Sequence, residues 1–100
     1  MQRTEKYYET DAFRREATGR ILAVEPGKTG GKLALDGTVF YPEGGGQPAD
    51  CGTLTLADGT VLHVTDVHES EGVIWHTVDA LPAGAVPGAE AAESIDWEWR

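Results

Sequence analysis

At 100 residues and 40% hydrophobic, the chain is sized for one small domain with a single core, and it is too apolar to be disordered throughout. One cysteine, Cys51, excludes an internal disulfide. With no signal-peptide pattern in residues 1–20 and no run of ~20 apolar residues, the expectation is a cytoplasmic protein with no membrane partner.

The net charge of −9 is unevenly spread. Residues 1–50 hold seven Lys/Arg against eight Asp/Glu, whereas residues 51–100 hold Arg100 against nine acids. An acidic surface repels phosphate, so the second half is a poor RNA binder by itself. Arg3, Lys6, Arg14, Arg15 and Arg20 form the candidate basic patch, and solvated surface charge is the better reading of them.

In chain order, residues 1–17 are polar and mixed. Thr10-Asp11 can cap a short helix that runs to Ala17 and ends at Gly19, with Tyr7, Tyr8 and Phe13 packing it on a core. Residues 20–25 (RILAVE) read as a strand stopped by Pro26-Gly27. Residues 32–35 and 38–41 flank Asp36-Gly37, a type I′ hairpin signal that would set Leu35 opposite Thr38 and Leu33 opposite Phe40. A second pair, Asp58-Gly59, joins residues 53–57 to 60–67. A two-residue turn there pairs Leu56 with Val61 and Leu54 with His63, which leaves Leu62 and Val64 on the other face. Either both faces are covered or a bulge shifts the register. Residues 69–72 read as a turn, 73–78 as a strand and 81–88 as a loop. Residues 89–94 have helical composition, but Ile95, Trp97 and Trp99 alternate with acids, and the end is read as a strand. Six or seven short strands with regular turns predict an all-β fold, a small antiparallel barrel with a short N-terminal helix or turn.

The most distinctive stretch is residues 38–54, TVFYPEGGGQPADCGTL. Pro42 and Pro48 stiffen its two ends. Gly44, Gly45 and Gly46 let backbone approach a ligand closely, and Gln47 adds an amide donor and acceptor. From the residues alone this is either a ligand-facing loop or an ordinary tight connection.

TVFYPEGGGQ followed by Asp50-x-Gly52-x-Leu54 resembles the glycine-rich segment of the alanyl-tRNA editing proteins, the AlaX-like relatives of the editing region of alanyl-tRNA synthetase. Glu71-Gly72-Val73-Ile74-Trp75-His76 resembles that family's glycine-hydrophobic-His strand. Gly88 and Ile95-Asp96-Trp97 resemble the run that leads into its second domain. The resemblance covers about residues 5–100. It implies that residues 1–100 are a translation-protein-like N-terminal barrel, followed by a zinc-binding editing domain expected after residue 100. Such a protein hydrolyses Ser or Gly from mischarged alanine tRNA, so tRNA(Ala) is the implied partner. In the family the second domain carries a His-x-x-x-His pair, and this sequence has none. No catalytic or metal residue carries over, and zinc is expected in the second domain alone. What carries over is the substrate-proximal loop, Gly44, Gly45, Gly46 and Gln47, with Thr38 and Tyr41 as supporting residues.

Other readings are weaker. His63, His68 and His76 are poorly spaced for a metal and read as surface or satisfied histidines. Cys51, with no base near it in sequence, reads as a small buried thiol. Gly45-Gly46-Gln47 also matches the tripeptide of peptide release factors, which would make a peptidyl-tRNA hydrolase, but nothing else here resembles them. A barrel that merely packs on a partner domain is the remaining alternative. Trp97 and Trp99 are expected to pack against the editing domain, and without it the chain is expected to self-associate through that patch.

Overall fold

A computed structural model describes residues 3–10, 15–28, 30–42 and 50–95. The Gly44–Gln47 loop, Phe13, Trp97 and Trp99 lie outside the described residues. The elements are β1 (Glu5–Lys6), α1 (Tyr7–Thr10), β2 (Glu16–Pro26), β3 (Gly31–Leu35), β4 (Gly37–Thr38), β5 (Gly52–Leu56), β6 (Val61–Ser70), β7 (Val73–Val78) and β8 (Glu90–Ile95). Six of them close an antiparallel barrel in the order β2-β3-β7-β6-β5-β8. The expected all-β barrel is therefore the observed fold. No described helix is long and apolar enough to cross a membrane.

The helical turn is Tyr7–Thr10, not a helix reaching Ala17. Ala17 and Gly19 belong to β2, which starts at Glu16 and pairs with β8 there before it pairs with β3. The switch is made at a bulge: Ile21 faces Leu35 and Ala23 faces Ala34, so Leu22 is the extra residue. Residues 90–94, helical in composition, are strand, because pairing with β2 and β5 and burial of Ala91 and Ile95 in the core outweigh helix propensity.

The Asp36-Gly37 hairpin does not form. β3 already has β2 on one edge and β7 on the other, so no edge is left for residues 38–41. Neither Asp36 nor Gly37 has the positive φ that a type I′ turn needs. Instead Asp36 N–H donates to the Arg20 carbonyl at 3.0 Å, the Asp36 carboxylate accepts the Arg20 N–H at 2.8 Å, and β4 pairs parallel with β1.

At Asp58-Gly59 the register settles the two options. Leu54 faces Leu62 and Thr53 faces His63, one residue off the two-residue expectation. Leu56 N–H donates to the Thr60 carbonyl at 2.8 Å, and Gly59 has φ +91°, which makes a three-residue loop with glycine in the left-handed position. Leu54, Leu62 and Val64 then all point inward. An extra residue, Thr65, between the Val64–Val78 and Asp66–Thr77 pairs flips the inward parity, so that Val67 is buried next. The β6–β7 turn is the tight one: Ser70 faces Val73 across Glu71 (φ 52°) and Gly72 (φ 83°).

One end of the barrel is closed by β1, α1 and residues 37–42. Thr4 clamps it. Its hydroxyl donates to the Leu35 carbonyl at 2.7 Å and accepts the Ile74 N–H at 2.9 Å. Lys6 and Glu69 add an ion pair at 2.8 Å.

Candidate functional site

The glycine-rich segment leaves this closed end at Tyr41 and rejoins it at Asp50. Both of its ends are pinned to each other. Asp50 N–H donates to the Tyr41 carbonyl at 3.0 Å, and the Asp50 carboxylate accepts the Tyr41 N–H at 2.9 Å. Asp50 is buried, so this is a short, desolvated, charge-assisted clasp. The Asp50-x-Gly52-x-Leu54 motif thereby gains a physical meaning. Gly52 lies where any Cβ would strike the Ser94 carbonyl oxygen, approach Ile95 Cα to 2.9 Å and meet the Phe40 ring at 3.0 Å. Leu54 is fully buried in the core.

Residues 39–41 belong to no strand, yet Val39 and Phe40 are fully buried. Their amides need acceptors, and side chains supply them. Val39 N–H donates to Glu93 Oε1 at 2.9 Å, and Phe40 N–H donates to Thr38 Oγ1 at 3.0 Å. With Tyr41 and Asp50, three successive amides are held by three side chains from three parts of the chain.

Thr38 is itself oriented. Its Oγ1 is 2.8 Å from His76 Nε2, and His76 Nδ1 is 3.0 Å from the Leu33 carbonyl oxygen. A carbonyl can only accept, so Nδ1 carries the proton and Nε2 accepts from the Thr38 hydroxyl. The relay then runs one way: Phe40 N–H to Thr38 Oγ1, Thr38 O–H to His76 Nε2, His76 Nδ1–H to Leu33 O. The imidazole is fully buried and meets the Phe40 ring edge-on at 5.4 Å. Burial drives its pKa down to about 4; the bond to Leu33 opposes this, and the charge of His68 adds to the lowering.

Tyr41 carries the relay's rigidity to the surface. Its side chain is 48% exposed, and its ring lies 4.7 Å from that of Tyr8 at a 50° tilt. Thr38 and Tyr41 thus sit at the root of the loop, one buried and one outside. The placement of Gly44, Gly45, Gly46 and Gln47 is not among the described residues.

The other candidates are scattered. His63 is exposed, His68 half-buried and His76 sealed inside. Among the described residues no group of three or more His, Cys, Asp or Glu side chains is placed to hold a metal ion. Cys51 is half-buried rather than buried, with Sγ 3.9 Å from the Thr65 carbonyl oxygen, beside an outer cleft of about 460 Å3 that Thr53, His63 and Ser94 also line.

Sequence reasoning passed over Glu93. Its signal was present: the period-two pattern of Ile95, Trp97 and Trp99, carried backward, puts Glu93 and Ala91 on the same inward face.

Comparison with known proteins agrees with the motif. Residues 4–99 match the family described as tRNA synthetases class II (A). The alanyl-tRNA editing protein AlaX-M of Pyrococcus horikoshii is 40% identical over 98 residues, covering 97% of this chain and 41% of that protein. AlaX-L of the same organism is 39% identical over 98 residues, covering 96% of this chain and 24% of its own length. The alanine–tRNA ligase of Natronomonas pharaonis is 44% identical over 86 residues, covering 82% of this chain and 9% of the ligase. The chain thus spans less than half of each of these relatives. With nearly its whole length matched, and with alanyl-tRNA editing proteins and alanine–tRNA ligases as its relatives, the chain belongs to the family of tRNA synthetases class II (A).

Proposed function

We propose that this chain is the N-terminal barrel of a trans-editing aminoacyl-tRNA hydrolase that deacylates Ser- or Gly-charged tRNA(Ala), and that it presents Gly44, Gly45, Gly46 and Gln47 to the aminoacyl end of that tRNA. The observation that carries the reading is the clasp between Tyr41 and Asp50, in a chain similar to alanyl-tRNA editing proteins. The buried hydrogen bonds between Tyr41 and Asp50 fix where the segment begins and ends, which is what ligand positioning asks of its root.

On this reading the metal chemistry of ester hydrolysis belongs to an editing domain beyond residue 100, and this chain contributes position rather than bond cleavage. The barrel alone is inactive on this reading.

The test uses two proteins: the chain by itself, and the chain fused to the part of Pyrococcus horikoshii AlaX-M beyond the residues it matches. Deacylation of Ser-tRNA(Ala) and Gly-tRNA(Ala) is followed for each. The fusion is expected to be active and the chain alone inactive. Gln47→Ala in the fusion should slow turnover about tenfold, the effect of one lost positioning hydrogen bond. Hydrolysis by the chain alone would overturn the division of labour. An unchanged rate and Ser/Gly preference in Gln47→Ala would make the barrel a scaffold that packs on its partner domain without touching substrate.

A further inference from the structure

We propose that Glu93 and His76 are positioning residues for the glycine-rich segment, acting from inside the barrel on the amides that lead into it. This rests on the reading that the segment meets substrate. Neither residue belongs to the segment. Glu93 is 54 residues from Val39 in sequence, and His76 is 38 from Thr38.

Their placement follows from strand parity. β8 turns Ala91, Glu93 and Ile95 inward, and β7 turns Ile74, His76 and Val78 inward. An apolar residue at either position would pack without the desolvation that a buried carboxylate or imidazole suffers. What the polar groups add is direction. Glu93 Oε1 fixes the Val39 N–H, and His76 fixes the Thr38 hydroxyl, which leaves Thr38 Oγ1 free to accept from Phe40. With Asp50 on Tyr41, each amide of residues 39–41 has a side-chain acceptor, and the glycine-rich segment follows the last of them.

The neighbouring strand is built to admit the carboxylate. A Cβ on Gly19 of β2 would lie 2.5 Å from Glu93 Oε2 and 2.9 Å from the Gly37 carbonyl oxygen. β2 has no side chain where the carboxylate needs room.

Amide exchange on the chain itself, resolved by NMR, tests the positioning independently of any activity. Exchange at the Val39 amide is expected to rise about tenfold in Glu93→Ala and about threefold in Glu93→Gln, which keeps an uncharged acceptor. His76→Leu should do the same at Phe40, and His76→Gln less. The Gly27 and Leu56 amides, held by the Gly30 and Thr60 carbonyls in turns away from residues 38–41, should stay within about twofold. Should Glu93→Ala not fold, the Gln variant carries the same comparison on its smaller scale. In the AlaX-M fusion, kcat is expected to fall in the same order while KM stays within about twofold. Exchange at residues 39–41 that ignores the substitutions, or that rises no more than at Gly27 and Leu56, overturns the positioning. Exchange that follows the order with unchanged turnover upholds it and overturns the reading that the segment serves the reaction.

Discussion

Replacing His76 with glutamine should flatten the acid limb of the stability curve. In the folded protein the imidazole is sealed among Leu33, Thr38 and Phe40, and its pKa is about 4; in the unfolded chain it is ~6.5. Above pH ~6.5 neither state holds the proton, and His76 makes no pH-dependent difference. Between ~6.5 and ~4 the unfolded chain takes up a proton that the folded chain refuses, so stability falls as pH falls, by up to ~1.4 kcal/mol per unit. Below ~4 both states are protonated and the slope vanishes. From pH 7.5 to 4.5 the loss assignable to His76 is about 2.5 kcal/mol. Urea unfolding followed by tryptophan fluorescence, at half-unit steps across that range, measures it. Carboxylates titrate alike in both proteins, so the wild type minus His76→Gln difference isolates the imidazole. A difference constant to within ~0.5 kcal/mol would refute the sealed, one-way relay, because it would mean that the folded imidazole accepts a proton as readily as the unfolded one.

Two further outcomes are expected. Gly52→Ala should destabilise by about 2–4 kcal/mol in the same unfolding assay, because its Cβ meets β8 backbone that cannot move aside without opening the β5–β8 pairing; a cost below ~1 kcal/mol would contradict that packing. Lys6→Met should cost less than about 1 kcal/mol, since its ion pair with Glu69 is part-exposed, and that small cost should fade in 1 M salt.

The fold was legible where side-chain parity and turn chemistry agree. Alternation in residues 73–78 marks β7, and Asp58-Gly59 marks a hairpin whose loop is one residue longer than the dipeptide alone suggests. Parity also carried information about register, since Leu54 and Leu62 share the inner face only if the register departs from the two-residue turn, as the Leu54–Leu62 pairing does. The Asp36-Gly37 signal misled because it is local. Whether a strand can return along β3 depends on whether that edge is vacant, and β7, more than thirty residues downstream, fills it. The same non-locality hid the partners at the candidate site. Thr38 and Tyr41 stood out beside the glycines. That Glu93 and His76 hold the residues between them depends on barrel closure, which brings β8 and β7 around to residues 38–39.

Barrel closure also sets an order of events. Among the described strands β8 is the last in sequence, and it bridges β2 and β5. Pairing Glu16 with Ser94 closes a loop of nearly eighty residues, the costliest contact of the barrel in chain entropy. Glu93 arrives with that strand. A nascent chain that has emerged only through β7 already holds Thr38, Asp50 and His76, yet it leaves the Val39 amide without its acceptor and the barrel with two open edges. The geometry at the root of the glycine-rich segment is therefore complete only once β8 has paired, and a ribosome-bound chain stalled short of residue 93 should leave the Val39 amide without its acceptor.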